Sequence, residues 1–175
     1  DGLVAVGAGT LNDLCKYVSH ADGRACAVFA TAPSMNGYVT STVSINRGDY
    51  KLSLKAHAPA GVFYDLEVLA ASPRRMIRAG LGDAICRGVA QVDWLFSHLL
   101  LDTAYFESPY DLQLVDEPKL FAAAPRLLAG DLEAMTALVD MLTLGGLGVI
   151  VAGTSHSGSM GEHGISHFID MFARP

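Results

Sequence analysis

Two histidines four residues apart stand in Gly161-Glu162-His163-Gly164-Ile165-Ser166-His167-Phe168-Ile169-Asp170. On a helix that spacing puts both imidazoles on one face, which suits metal ligation or proton transfer; a pair met by chance on a solvated surface is the plain alternative. A carboxylate joins them as a candidate in Gly80-Leu81-Gly82-Asp83-Ala84-Ile85-Cys86, where Asp83 reads either as a metal ligand or as the N-cap of a helix starting near Gly82. Asp83, His163 and His167 give two or three N/O donors, whereas a catalytic zinc ordinarily has three protein ligands and one open position.

Two glycine-bearing loops add a possible ligand cradle. In Val4-Ala5-Val6-Gly7-Ala8-Gly9-Thr10-Leu11-Asn12-Asp13 a Gly-x-Gly turn lies between an apolar strand and a helix, where free N–H groups and the helix dipole favour a phosphate. The third glycine of the dinucleotide fingerprint is absent, so an ordinary tight turn is the competing reading. Thr31-Ala32-Pro33-Ser34-Met35-Asn36-Gly37 follows a buried-looking strand and sets hydroxyls and an amide at its C-terminal end, where open α/β sheets bind ligands. His20, His57, His98 and His156 have no such company, and no Ser-His-Asp arrangement is present.

The elements that must position these groups change character near residue 72. Upstream, Leu3 to Val6, Ala25 to Ala30 and Ala60 to Asp65 read as strands, and Thr10 to His20 reads as a helix capped by Thr10 with Leu11, Leu14, Cys15 and Val18 on one face. VSINRGDYKLSLK predicts a hairpin turning at Arg47-Gly48-Asp49. From Pro73 the pattern is helical: a segment through Arg78, then Gly82 to Leu100, Leu112 to Ala123, and Ala129 to Leu144 started by Asp131 with Leu132, Met135, Leu138, Val139 and Leu142 as a core stripe. Trp94 reads as helix core and the Arg74-Arg75-Arg78 cluster as solvated charge. Residues 153–161 form a polar loop before the last helix.

The composition narrows the class. With 175 residues, 51% hydrophobic and 17% charged, the chain is globular. A formal net charge of -6 disfavours nucleic acid and anionic lipid as partners. The apolar run Leu144 to Ala152 is too short for a bilayer span and holds three glycines, and no signal peptide is visible. Three scattered cysteines, Cys15, Cys26 and Cys86, read as reduced thiols of a cytoplasmic protein.

Taken in order, GAGTLND, ATAPSMNGYVTS, GLGDAICRGVAQVDW and GEHGISHFIDM resemble successive signatures of the sn-glycerol-1-phosphate dehydrogenases, in the superfamily of glycerol dehydrogenase, iron-containing alcohol dehydrogenases and 3-dehydroquinate synthase. The resemblance implies α/β followed by all-α: residues 1–72 as part of a Rossmann-like nucleotide-binding domain, and residues 73–175 as part of a helical metal-binding domain. Within it Gly7, Gly9, Thr10 and Asp13 stand in the pyrophosphate turn of NAD or NADP. Thr31, Ser34 and Thr40 match dinucleotide contacts. Asn36 occupies a position where many members carry a substrate-contacting Asp. Asp83 and His163 match metal ligands, with Asp83 also near substrate, and His167 matches a histidine facing the substrate as a catalytic group. The third ligand is expected beyond Pro175, so the chain reads as the middle of a longer enzyme, and the strand that would choose between NAD and NADP is expected ahead of Asp1.

The activity so implied is interconversion of dihydroxyacetone phosphate and sn-glycerol 1-phosphate, a step of phospholipid metabolism, by a homo-oligomer using Zn2+, with Fe2+ or Ni2+ also compatible with an Asp/His/His set. A small phosphorylated polyol or ketone is the expected partner. The alternatives are a 3-dehydroquinate synthase-like lyase, disfavoured by Glu162 and Asp170 in the last helix; a glycerol dehydrogenase; and a truncated, non-catalytic binding module.

Overall fold

A computed structural model describes residues 1–48 and 50–172. Strand β1 (Gly2–Gly7) and strand β2 (Ala25–Ala30) pair in parallel from Gly2 with Ala25 to Gly7 with Ala30, and the helix α1 (Gly9–Ala21) makes the crossover. After β2 come a 3₁₀ turn at Asn36–Tyr38 and an antiparallel hairpin, β3 (Thr42–Arg47) with β4 (Tyr50–Lys55). Strand β5 (Gly61–Tyr64) then returns to pair with β2, giving a parallel sheet in the order β1-β2-β5. The hairpin closes as expected with Gly48 at φ +61°, while Asp49 of the expected turn lies outside the described residues.

One face of the sheet, carrying Ala5, Val28 and Ala30, is buried; the other presents Val4, Val6, Phe29 and Phe63, each between 46% and 63% exposed. Helix α1 departs from expectation in a similar way. It buries Asn12, Asp13, Lys16 and Ser19 and leaves Leu11, Leu14 and Val18 more than 40% exposed. The physical reason is Lys16, whose ammonium donates to the carbonyls of Gly37 (2.9 Å) and Thr42 (2.8 Å) and to the Thr40 hydroxyl (3.2 Å). A buried charge is tolerable with its donors filled, and here it ties the inward polar stripe of α1 to the loop ahead of β3.

Asp65 caps α2 (Leu66–Ala70) by accepting from the N–H groups of Glu67 and Val68. Helix α3 (Arg74–Ile85) runs unbroken through Gly80 and Gly82, so the expected interruption after Arg78 moves to Cys86, where the chain bends into α4 (Arg87–Leu101). Cys86 keeps helical angles (φ -66°, ψ -15°), which makes the junction a bend and preserves the face that α3 presents. The expected Leu112–Ala123 helix is instead α5 (Ser108–Asp111) and α6 (Glu117–Ala123), with Pro118 in the first turn of α6.

Helix α7 (Leu132–Ala152) is the centre of the second half, packed against α2, α3, α5 and α6. Asp131 caps it by accepting from Ala134 N–H at 2.8 Å. Met135, Leu138, Val139 and Leu142 of the expected stripe are buried, Leu132 at the helix start is exposed, and the helix continues past Leu144 through Gly145, Gly146 and Gly148. At 21 residues it is long and apolar enough to cross a membrane by length and composition, and half of its most apolar window is buried inside the fold. Helix α8 (Gly161–Phe172) ends the described chain. A single cluster containing Val28, Tyr38, Leu69, Ile77, Met135 and Leu142 spans residue 72, so the strands and the helices share one core.

Candidate active site

The loop after β2 is held between two helices at glycines. A Cβ on Gly80 of α3 would stand 1.6 Å from the Pro33 carbonyl oxygen, and one on Gly146 of α7 would stand 2.5 Å from that of Asn36. No other residue type lets the backbones approach this closely. The strand end is fixed as well, because Thr31 N–H donates to the Gly7 carbonyl at 3.1 Å. So clamped, Asn36 offers its N–H to Asp83 Oδ2 at 2.6 Å. Asp83 lies in the last turn of α3, which overturns its reading as an N-cap and leaves its carboxylate facing the cleft.

His163 comes to the other carboxylate oxygen from α8. Its Nε2 is 3.4 Å from Asp83 Oδ1, and its Nδ1 is 2.8 Å from Glu162 Oε1. Asp83 foremost, then Cys86 and Glu162, push the imidazole up to about 11 against the opposing effect of burial. Burial raises the Glu162 carboxyl, but hydrogen bonds from His163 and Met160 N–H outweigh it and leave the group below its ordinary range. These residues fit a metal. Bonds of about 2.0–2.1 Å in a tetrahedron place O and N donors about 3.3 Å apart, the separation seen here. A carboxylate on the second imidazole nitrogen and a donor on the second carboxylate oxygen are the outer partners that fix such ligands.

Among the described residues, the cluster of potential ligand groups is Asp83, Cys86 and His163, whose donor atoms all lie within 4.8 Å of one another. Cys86 was not expected there, and His167 is not part of the set. The His167 ring stands 6.1 Å from that of His163 at 89°, further along the same face of α8. Burial, then Lys51 and His163, lower its pKa below the ordinary histidine value.

The remaining expected residues divide. Gly9, Thr10 and Asp13 line a cavity of about 740 Å³ with Lys51, and Asp13, Asn36, Thr40, Asp83, His163 and His167 line a neighbouring one of about 440 Å³. Thr10 does not cap α1: Ala8 is the N-cap and supplies no side-chain acceptor, so the first N–H groups of the helix have no side-chain partner beside Gly9. Asp13 is buried, accepts from Asn12 Nδ2 and Ser44 N–H at 2.8 Å each, and is raised by that burial. Thr40 is buried with its hydroxyl bound to Lys16 and to the Gly37 and Thr42 carbonyls. Thr31 and Ser34 line neither cavity, and the Ser34 hydroxyl sits 3.4 Å from that of Tyr38. Sequence reasoning also missed Lys16 and Arg87; the latter donates from one nitrogen to both Glu117 oxygens at 3.0 Å beneath the site.

Residues 1–73 match the family model described as iron-containing alcohol dehydrogenase. The match covers less than half of the chain. Over 171 residues the chain is 31% identical to a glycerol-1-phosphate dehydrogenase (NAD(P)+) of Halalkalibacterium halodurans, covering 98% of this chain and 43% of that protein. It is 32% identical over 171 residues to the same-named protein of Methanothermobacter thermautotrophicus, covering 98% of this chain and 49% of that one. The chain therefore spans less than half the length of these curated relatives. A probable glycerol dehydrogenase from Sinorhizobium meliloti superposes with a TM-score of 0.79 at 22% identity, over 97% of this chain and 50% of that one, which shows a shared fold. The α/β sheet followed by helices is thus the fold of the iron-containing alcohol and glycerol dehydrogenases.

Proposed function

We propose that the chain carries the cofactor-turn and metal-ligand part of an NAD(P)-linked, metal-dependent oxidoreductase that interconverts dihydroxyacetone phosphate and sn-glycerol 1-phosphate. The observation that carries this reading is the meeting of Asp83 and His163 at 3.4 Å on a cavity adjoining the one lined by Gly9 and Thr10. The name shared by the 31–32% identical relatives supports the substrate.

In this reading the Gly7-Ala8-Gly9 turn and the uncapped start of α1 receive the dinucleotide pyrophosphate through backbone N–H groups. Thr10 and Asp13 line that side, whereas Thr31 and Ser34, which match dinucleotide contacts by resemblance, lie outside both cavities, and the Thr40 hydroxyl is taken up by Lys16 and backbone carbonyls. Asp83 and His163 would hold the divalent cation, zinc or iron, which when bound supplies Lewis acidity toward the substrate carbonyl. Asn36 borders the substrate, and its amide takes the place of an anion, which removes repulsion toward a phosphorylated ligand. Lys51, at the edge of both cavities, adds an attractive charge for that phosphate. His167 accepts the hydroxyl proton when the alcohol is oxidised and, as imidazolium, returns a proton to the substrate oxygen when the ketone is reduced.

The test measures NADH oxidation with dihydroxyacetone phosphate against dihydroxyacetone, with and without chelator, alongside NADH binding by fluorescence. Preference for the phosphorylated ketone and loss with chelator are expected. Turnover that ignores the chelator removes the metal role, and an equal response to both ketones removes the phosphate reading.

A further inference from the structure

A buried ammonium stands where the two large cavities adjoin. Lys16 is wholly buried, and the segment from Gly37 to Thr42 wraps its Nζ with the Gly37 carbonyl at 2.9 Å, the Thr42 carbonyl at 2.8 Å and the Thr40 hydroxyl at 3.2 Å. An ammonium has three donors, so all of them are spent on this one segment. Both ends of the segment reach the site. Asn36, directly ahead of Gly37, gives its N–H to Asp83, and Thr42 opens the strand that carries Ser44. Lys16 itself stands on α1, about 10 Å along the axis from Gly9 at the helix start. One turn nearer that start, Asp13 accepts the Ser44 N–H at 2.8 Å, and Asp13 and Ser44 line both cavities. The inward stripe of α1 is therefore a strut between the Gly7-Ala8-Gly9 turn and the loop at Asn36. An apolar chain at position 16 would fill the volume and leave three acceptors without a donor, which drives the loop to seek others.

We propose that Lys16 is a positioning residue: by fastening the loop from Asn36 to Thr42 onto the helix that begins at the cofactor turn, it sets the separation of the two reacting partners. Lys16 lines neither cavity, so it acts only through the groups it holds. The inference rests on the reading of the cavity at Gly9 as the dinucleotide side and the cavity at Asn36 as the substrate side. The glycine clamps at Gly80 and Gly146 locate the loop against the helical half of the fold. Lys16 refers the same loop to α1, and the line from its Nζ through the Gly37 carbonyl and the Asn36 N–H ends on the Asp83 carboxylate. One charged group thereby relates the cofactor side to the residues facing the substrate. The relation matters because reacting atoms have to meet at about 3–3.5 Å, and a misplacement of about 1 Å costs about 100-fold in rate.

The test uses Lys16→Met, which keeps the length of the side chain without its donors, checked for folding by circular dichroism. Hydrogen exchange reads the tie with no substrate present. Amides of residues 37–44 should exchange at least about 10-fold faster than in wild type, the worth of one charge-assisted hydrogen bond, while those of β1 and β2 stay as they are. With NADH and dihydroxyacetone phosphate, kcat should fall about 100-fold while the dissociation constant of NADH, read by fluorescence, moves far less. General destabilisation would not produce that split. Lys16→Ala supplies a rescue arm: n-propylammonium should restore turnover, and n-propanol, of the same size and uncharged, should not. Unchanged exchange at 37–44 overturns the tie, and loosened exchange with kcat preserved overturns the positioning role. A wild type that binds NADH and ignores dihydroxyacetone phosphate removes the substrate reading instead, and the exchange arm alone then upholds or overturns the tie. Should Lys16→Met fail the folding check, Thr40→Val, which deletes one of the three acceptors, is measured against the same outcomes.

Discussion

Replacing Gly80 by alanine tests whether the site is assembled by the clamp on the loop after β2. The added Cβ would stand 1.6 Å from the Pro33 carbonyl oxygen and 2.8 Å from its carbon. An ordinary carbon–oxygen contact is about 3.3–3.6 Å, so α3 or the loop has to retreat by roughly 1.7 Å. Both partners are backbone, which no rotamer change can relieve. Overpacking of this kind costs about 1–3 kcal/mol or more. At about 2–4 °C per kcal/mol for a chain of this size, a 3 kcal/mol loss lowers Tm by roughly 6–12 °C. Because Asn36 N–H holds Asp83 Oδ2 at 2.6 Å, the same retreat loosens the metal ligand, and zinc affinity should fall about 10–100-fold. Gly82, on the same helix, has nothing within 4 Å of its would-be Cβ. Gly82→Ala should therefore stabilise by about 0.5–1 kcal/mol through helix propensity. Scanning calorimetry and chelator competition on both variants decide the matter: two changes of the same sign, or an unaltered Tm and zinc affinity in Gly80→Ala, refute the clamp.

Glu162→Gln keeps the shape but weakens the acceptor on His163 Nδ1 and should cost about 10-fold or more in zinc affinity by competition titration, with Tm of the metal-free chain little changed. Glu117→Gln leaves the buried Arg87 guanidinium without its carboxylate and should destabilise by about 3 kcal/mol in urea unfolding. Burial lowers Lys16 from its ordinary 10.5 to about 8, with Asp13 opposing, so between those values the unfolded chain binds more protons than the folded one and stability from this group rises with pH. The stability gap between wild type and Lys16→Met should thus move in favour of wild type by roughly 3 kcal/mol from pH 8 to 10.5, the other titrations cancelling in the difference. A gap that stays level over that range contradicts the placement of Lys16.

Chemistry-bearing pairs within one element were readable in the sequence. The spacing of His163 and His167 and the Gly7-Ala8-Gly9 turn each declare a local geometry, and Asp131 announces the start of α7, whereas the local signal at Asp83 pointed to an N-cap and the residue lies in the last turn of α3. What escaped depends on residues distant in the chain. Cys86 looked like an isolated thiol because its companion His163 arrives from α8. The outward apolar face of α1 follows from Lys16 finding three acceptors between Gly37 and Thr42, a gain no helical periodicity displays. Gly145, Gly146 and Gly148 read as the end of a helix, yet they are the interior of one, with Gly146 and Gly148 placed where the Asn36 and Pro109 carbonyls crowd a side chain. Gly80 follows the same logic, which is why the break expected after Arg78 moved to Cys86.

The uncovered side of the parallel sheet sets the chain's colloidal behaviour. Val6, Phe29 and Phe63 are aligned across the three strands, with the two phenyl rings stacked at 4.7 Å, so water meets a continuous greasy ladder. At neutral pH the net charge of -6 keeps molecules apart. Salt shortens that repulsion to a Debye length of about 8 Å at 0.15 M and about 3 Å at 1 M, while the attraction between ladders is untouched. Light scattering should therefore rise with ionic strength and with acidification toward charge neutrality, and mild salting-out should fractionate this chain early. Exchanging Phe29 and Phe63 for threonine, which keeps β-propensity, is the change that would make it a well-behaved solute.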